Sequence, residues 1–202
     1  STVVKVNYKH TENDFLDYYV QPLIPHSISK RGPKIAVADV NADGLDDFYI
    51  CGASLQTGTL MIQDKKGSFN PVNADLFKTD SLSEEVDALF FDADNDNDLD
   101  LYVVSGGNQF ADNNPALLDR IYMNDGKGNF TKKPNIIPAL YKDKSCVAAA
   151  DIDNDGDTDL FVGGFVNAKK YGVPQTSYLL LNDGKGLFTL QQSVFDSLGM
   201  VT

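Results

Sequence analysis

Three stretches of nine residues match one another without a gap, and each carries more carboxylate than a lone loop tolerates. They are Asp39-Val-Asn-Ala-Asp-Gly-Leu-Asp-Asp47, Asp92-Ala-Asp-Asn-Asp-Asn-Asp-Leu-Asp100 and Asp151-Ile-Asp-Asn-Asp-Gly-Asp-Thr-Asp159, with starts 53 and 59 residues apart. A short apolar stretch precedes each one (residues 35–38, 88–91 and 146–150) and another follows it (48–51, 101–104 and 160–162). Both flanks have the length and composition of strands. A second element recurs further along: Gln63-Asp-Lys-Lys-Gly-Ser-Phe69, Asn124-Asp-Gly-Lys-Gly-Asn-Phe130 and Asn182-Asp-Gly-Lys-Gly-Leu-Phe188. Its glycines supply the positive φ of tight turns, so it reads as a hairpin.

Each unit is therefore strand, Asp loop, strand, variable connection, strand, Gly turn, strand. That is a four-stranded antiparallel sheet of about 55 residues, the size of a propeller blade. The expected fold is all-β: a partial β-propeller of three blades over residues 34–85, 86–144 and 145–197, with flanking segments. Residues 1–33 form a leader in which Val4, Val6 and Tyr8 alternate as a strand does, and Pro22, Pro25 and Pro33 mark an irregular connection. In the connection over residues 106–119, Asn114-Pro115 predicts one helical turn with Asn as N-cap and Pro at N1. Residues 198–202 sit where a fourth blade should begin, and the spacing from turn phenylalanine to the next loop puts its first aspartate near position 210. The chain is thus expected to be part of a longer protein, since an unclosed ring leaves open edges prone to self-association.

The Asp loops have the chemistry of a hard-cation site. Oxygens at positions 1, 3 and 5 of a tight loop can converge, and one at position 9 closes the shell, in the number that suits Ca²⁺. The side chains concerned are Asp39, Asn41, Asp43 and Asp47; Asp92, Asp94, Asp96 and Asp100; and Asp151, Asp153, Asp155 and Asp159. Position 7 (Leu45, Asp98, Asp157) tolerates any side chain if its carbonyl is the ligand. Position 6 must let the backbone reverse, and it is Gly44, Asn97 and Gly156. An EF-hand would need a bidentate Glu at position 12, where Ile50, Val103 and Val162 stand instead. Mg²⁺ does not favour an all-protein carboxylate cage, and no His or Cys near the loops suits a transition metal. Up to three Ca²⁺ sites are expected, the first the weakest because Asn41 removes one charge.

Net charge supports this reading. Of 29 acids, 26 are aspartates and 14 lie in the three loops; the other 15 face 17 bases, so the formal net charge of −12 belongs to the loops. That charge excludes nucleic acid and anionic membranes as unaided partners. No apolar run approaches the roughly 18 residues that span a bilayer, and the first residues lack the layout of a signal peptide. Cys51 and Cys146 lie in apolar segments and read as two free, buried thiols.

These residues resemble the FG-GAP/VCBS-type repeat, whose Asp-x-Asp-x-Asp-Gly-x-x-Asp loops bind Ca²⁺ in β-propellers such as the integrin α-subunit head. The resemblance is closer to the group that joins these repeats to an ASPIC/UnbV-type segment, which includes cartilage acidic protein. It rests on Pro22-Leu-Ile-Pro-His26, Gly32-Pro33, Val103-Val-Ser-Gly-Gly107, Asp119-Arg-Ile-Tyr122 and Leu198-Gly-Met-Val-Thr202. Two positions depart from the pattern: Asn97 replaces a glycine, and Gln63-Asp-Lys-Lys-Gly67 lacks one. The resemblance implies an extracellular, cell-surface or periplasmic setting and poor specificity for activity.

The expected function is a calcium-stabilised module that presents blade loops to a protein or glycan, and not an enzyme. The alternative is a lyase or hydrolase of acidic polysaccharide, which needs a base and a cationic clamp in one cleft. His10 and His26 are the only histidines and both lie in the leader. Arg120 is expected to pair structurally with a loop aspartate, and Tyr102, Tyr122, Tyr141, Tyr171 and Tyr178 either line a sugar platform or fill half-buried strands.

Overall fold

Leu101 and Val103 alternate with Tyr102 and Val104 along one strand, and period-two geometry sends the two pairs to opposite faces. Both faces need cover, and a single sheet supplies neither. The structure, a computed structural model that describes residues 6–111, 113–167 and 170–191, resolves this by stacking three sheets. Blade 1 comprises β1 (Ile35–Ala38), β2 (Asp47–Ile50), β3 (Thr59–Gln63) and β4 (Phe69–Val72). Blade 2 comprises β5 (Glu84–Phe91), β6 (Asp100–Gly106), β7 (Arg120–Met123) and β8 (Thr131–Lys132). Blade 3 holds β9 (Lys144–Ala150) and β10 (Asp159–Gly164), then an inserted hairpin of β11 (Val166–Asn167) and β12 (Lys170–Pro174), then β13 (Tyr178–Asn182) and β14 (Phe188–Gln191). Every blade is an antiparallel meander in chain order.

The first strands pack in succession, β1 against β5 and β5 against β9, which places them innermost and leaves the fourth strands at the rim. Pro71 falls in β4, a rim strand, where its missing N–H costs no ladder bond. Between blades 1 and 2, Tyr49, Cys51, Leu60 and Phe77 pack on Leu101, Val103, Tyr122 and Phe130. Between blades 2 and 3, Tyr102, Val104, Ile121 and Met123 meet Leu160, Val162, Leu180 and Phe188. Phe77 belongs to α1 (Ala74–Lys78), a helix that the sequence pattern does not predict; it stacks edge-on against Tyr49 at 5.2 Å and Tyr122 at 5.0 Å and so plugs the first interface. The helical turn at Pro115–Leu117 is present, with Asn114 accepting from the Ala116 amide as its cap. Among the described residues no helix is long and apolar enough to cross a membrane.

Polar bonds join the blades at the end remote from the Asp loops. Arg120 pairs with Glu85 at 3.0 Å and donates to Ser105 Oγ at 2.8 Å, so its partner is a β5 glutamate and not the loop aspartate expected. Glu85 also accepts from Tyr49 Oη and the Gly52 amide of blade 1. Burial pushes the Glu85 carboxyl up, with Arg120 opposing. Lys144, fully buried in blade 3, pairs with Asp119 of blade 2 at 3.2 Å and donates to the Leu117 and Leu140 carbonyls.

The leader crosses this same end. Tyr8 Oη donates to the Cys51 carbonyl of blade 1, Asp17 accepts from Asn108 of blade 2 at 2.6 Å, and Arg31 pairs with Asp143 at 2.7 Å before blade 3. Val6 and Tyr8 form no strand; the leader is held by Tyr8, Asp17 and Arg31 side chains and by Gln56, which bonds the backbone of Lys9 and Thr11. Val4 and residues 198–202 lie outside the described residues. Cys51 is buried, whereas Cys146 is only half-buried on the inner strand β9.

Breaking a buried ion pair on one side strands the other charge, at a cost of about 3–5 kcal/mol. Arg120→Met is therefore expected to lose about that much in urea denaturation, and Glu85→Gln combined with Arg120→Met to recover at least half of it. Equal losses in the single and double variants would show that the pair itself contributes nothing.

Candidate metal centres

Each Asp loop joins the first strand of a blade to the second, and its ninth residue is the first of that second strand. Asp47, Asp100 and Asp159 are all buried there. Each carboxylate spans two backbone amides, one from position 2 of its own loop and one from the end of the third strand. Asp47 accepts from Val40 at 3.1 Å and Gln63 at 2.8 Å, Asp100 from Ala93 at 3.0 Å and Asn124 at 2.8 Å, and Asp159 from Ile152 and Asn182 at 2.9 Å each. Position 1 stabilises the reversal: Asp39, Asp92 and Asp151 accept from the amides of Gly44 at 2.7 Å, Asn97 at 3.0 Å and Gly156 at 3.2 Å. Those three residues have φ of 84°, 70° and 95°, so Asn97 does hold the left-handed conformation in place of glycine.

Two of the loops gather carboxylates. Asp92, Asp94 and Asp100 offer oxygens that all lie within 4.8 Å of one another, and so do Asp151, Asp153 and Asp159. Asp96 and Asp155 at position 5 do not join these groups; like Asp43, they accept the amide of position 7, from Leu45, Asp98 and Asp157 at 3.0–3.1 Å. In loop 1 no such trio forms among the described residues: Asp39 is satisfied by the Asp43 and Gly44 amides, and Asn41 Oδ1 accepts from Asp43 as well.

Loop 2 is left electrostatically unsatisfied. Asp92 Oδ1, Asp94 Oδ1 and Asp98 Oδ1 are buried without a hydrogen-bond partner. Burial and then the neighbouring carboxylates Asp96 and Asp92 push Asp94 up, Asp98 rises to about 6 from burial and Asp96, and Asp100 rises to about 7, chiefly from burial. Orphaned buried acceptors are rare in native proteins because each forfeits its hydration. A cation at this point removes the deficit, and the hard oxygen donors match calcium chemistry.

The repeated Gly turns do more than reverse the chain. Asn124 Nδ2 donates to the Val40 carbonyl of the preceding blade's loop at 2.7 Å, and Asn182 Nδ2 to the Ala93 carbonyl at 2.8 Å. The first turn residue is thus a latch between blades, a role that the shared Asn in both turns could have signalled. Gly184 holds φ of 69°, and its Cα faces the Asp157 carboxylate, which a Cβ there would displace.

A family model described as FG-GAP-like repeat matches residues 39–103 and 92–162. The chain belongs to the FG-GAP-like repeat family. Its three four-stranded sheets are the propeller-like blades of that family. No curated protein matches the chain. Of the catalytic candidates in this FG-GAP chain, Arg120 and Tyr141 line one cleft with Asp80 and Asp119, and the others lie apart or are already paired. His10 pairs with Glu12 in the leader, Arg120 is consumed by Glu85, and Tyr102 and Tyr122 are buried donors to Asp119 and Asp80. Tyr141 lines a cleft of about 400 Å³ with Lys132 and Lys133 at the edge of blade 2, but no histidine does.

Position 9 and position 3 should part company under mutation. Asp100→Asn has one acceptor for two buried amides and is expected to cost about 1–3 kcal/mol in chelator. Asp94→Asn loses an unsatisfied charge and is expected to leave metal-free stability unchanged or raised. Urea denaturation of both variants in chelator measures this, and an equal loss in both would contradict the division of roles.

Proposed function

We propose that the chain is a calcium-stabilised β-propeller segment that serves as an interaction module outside the cytosol, in an extracellular, cell-surface or periplasmic setting. The observation that carries the calcium reading is the convergence of Asp92, Asp94 and Asp100 around buried oxygens that the chain leaves unpartnered. Loop 3 supplies an equivalent trio, and loop 1 is the weakest of the three. When bound, Ca²⁺ supplies charge neutralisation and loop rigidity. The protein's part is to hold Asp100 and Asp159 fixed by two amides each, so that the carboxylates are in place beforehand.

An interaction role fits the FG-GAP family, whose repeats are typically non-catalytic. It also fits the pairing of Arg120 with Glu85 and of His10 with Glu12. The partner is a protein or a glycan. The segments noted above, Asp119-Arg-Ile-Tyr122 among them, support placement beside the ASPIC/UnbV group. Self-association through open blade faces is a further mode, supported by Ile35 and Val37 on β1 at 57% and 61% exposed and by Ile152 of loop 3 at 43%.

A ligand that binds only the folded state stabilises it by about 4 kcal/mol per site at a thousandfold excess over Kd. Calcium is expected to raise the melting temperature strongly, and chelation to reverse the gain. The pH trend should differ between the two forms. Without metal, Asp98 and Asp100 titrate at about 6 and about 7 in the folded state, above the ordinary carboxylate value near 3.9. The folded state then holds more protons than the unfolded, so metal-free stability falls as pH rises from about 4 to about 7. Calcium needs the ionised carboxylates, so its stabilising increment grows over the same window. Melts at pH 5 and 7.5, with and without calcium, measure both trends. An identical melt in chelator and calcium at pH 7.5 would falsify the reading.

A further inference from the structure

Position 4 of the Asp loops takes no part in the ligand pattern, yet it is held in one unusual conformation throughout. Ala42, Asn95 and Asn154 have φ of 57°, 62° and 62°. Asparagine tolerates this left-handed region, whereas alanine is strained in it. In loop 2 the side chain also has a partner outside its own loop. Asn95 Nδ2 donates to Asp157 Oδ1, at position 7 of loop 3, at 2.6 Å. Asp157 stands between Asp155 and Asp159, so fixing it orders the second half of loop 3.

The same contact is missing one blade earlier, although the blades dock in the same register. The latch bonds agree within 0.1 Å, at 2.7 Å for Asn124 on Val40 and 2.8 Å for Asn182 on Ala93. A Cβ on Gly128 would lie 3.7 Å from Asn41 Cβ, and one on Gly186 would lie 3.6 Å from Asp94 Cβ. Loop 2 therefore sits on loop 1 as loop 3 sits on loop 2. Position 4 of loop 1 is Ala42, which has no donor, and Asp98, the counterpart of Asp157, is left with Oδ1 buried and unpartnered.

We propose that Asn95 is a positioning residue that couples loops 2 and 3, so that a cation bound in either one tightens binding in the other, while Ala42 leaves loop 1 uncoupled. The inference rests on the calcium reading above. A cation in loop 2 immobilises Asn95; Asn95 restrains Asp157; and loop 3 then binds with less ordering to undergo. Linkage makes the effect mutual. The contact is a single hydrogen bond to a carboxylate near the surface, which sets the expected coupling at about three- to tenfold in affinity.

Calcium titration of the full chain by calorimetry tests this with three substitutions. Asn95→Gly removes the donor and keeps the left-handed backbone free of strain. Ala42→Asn installs a donor facing Asp98, and Ala42→Gly relieves the same backbone strain without a donor. The wild type is expected to fill two sites cooperatively and a third independently. Asn95→Gly should abolish the cooperativity and weaken one site about three- to tenfold. Ala42→Asn should tighten the independent site by a similar factor relative to Ala42→Gly. Melts in chelator separate positioning from plain structure: the deficit of Asn95→Gly should be larger in calcium than in chelator. A wild type that takes up no calcium overturns the calcium reading and the coupling with it. A wild type that binds, beside an Asn95→Gly chain with the same isotherm or with equal deficits in calcium and chelator, overturns the coupling alone. Ala42→Asn matching Ala42→Gly does the same.

Discussion

A buried aspartate at the start of each second strand holds the blade architecture together. Asp100 bridges the amides of Ala93 and Asn124, and so ties its own loop to the turn that follows the third strand. That bridge fixes the backbone of Asn124, whose side chain reaches the Val40 carbonyl of the preceding blade. The same succession runs from Asp159 through Asn182 to Ala93. One carboxylate therefore closes a loop, orients a turn and positions a contact between sheets. Loss of its second acceptor disturbs all three.

The two ends of the stacked blades use charge in opposite ways. At the remote end the buried cations are paired, Arg120 with Glu85 and Lys144 with Asp119, and the buried carboxylates of Asp17 and Glu84 are held by neutral hydrogen-bond donors. Those pairs and the leader that crosses them hold the blades in register without outside help. At the loop end the carboxylates outnumber any cation the chain supplies, and the deficit concentrates in loop 2. Such segregation lets a metal tune the loop end while the remote end keeps the fold. The formal charge of −12 is likewise confined to the loops, where a bound cation would offset the repulsion.

Local pattern made the loops and strands legible. Aspartate at alternate positions, a residue tolerant of left-handed backbone at position 6, and apolar flanks of strand length together specify the blade. Asn97 at φ 70° shows that the position-6 argument reaches even the copy without glycine. What stayed hidden depends on partners far apart in the chain. Arg120 finds Glu85, 35 residues away, and not a loop carboxylate. Helix α1 is too short to carry a period, and its role comes from Phe77 filling the gap between Tyr49 and Tyr122. Val6 and Tyr8 alternate like strand residues but form no strand: Val6 is exposed, and Tyr8 meets blade 1 through its hydroxyl. Within the loops, the nine-residue pattern gave positions 1, 3, 5 and 9 as oxygen donors but not their bonds to the backbone: position 9 bridges two amides, and one oxygen of position 5 accepts the amide of position 7.

The claim on which the account turns is that calcium sits among the loop carboxylates. Anomalous diffraction from crystals grown with calcium tests it directly. The account predicts a peak within bonding distance of Asp92, Asp94 and Asp100 and a second among Asp151, Asp153 and Asp159. Crystals grown in saturating calcium with no anomalous density at either trio, and with the Asp92 and Asp94 oxygens bonded to water or to lysine from the same chain, would contradict it.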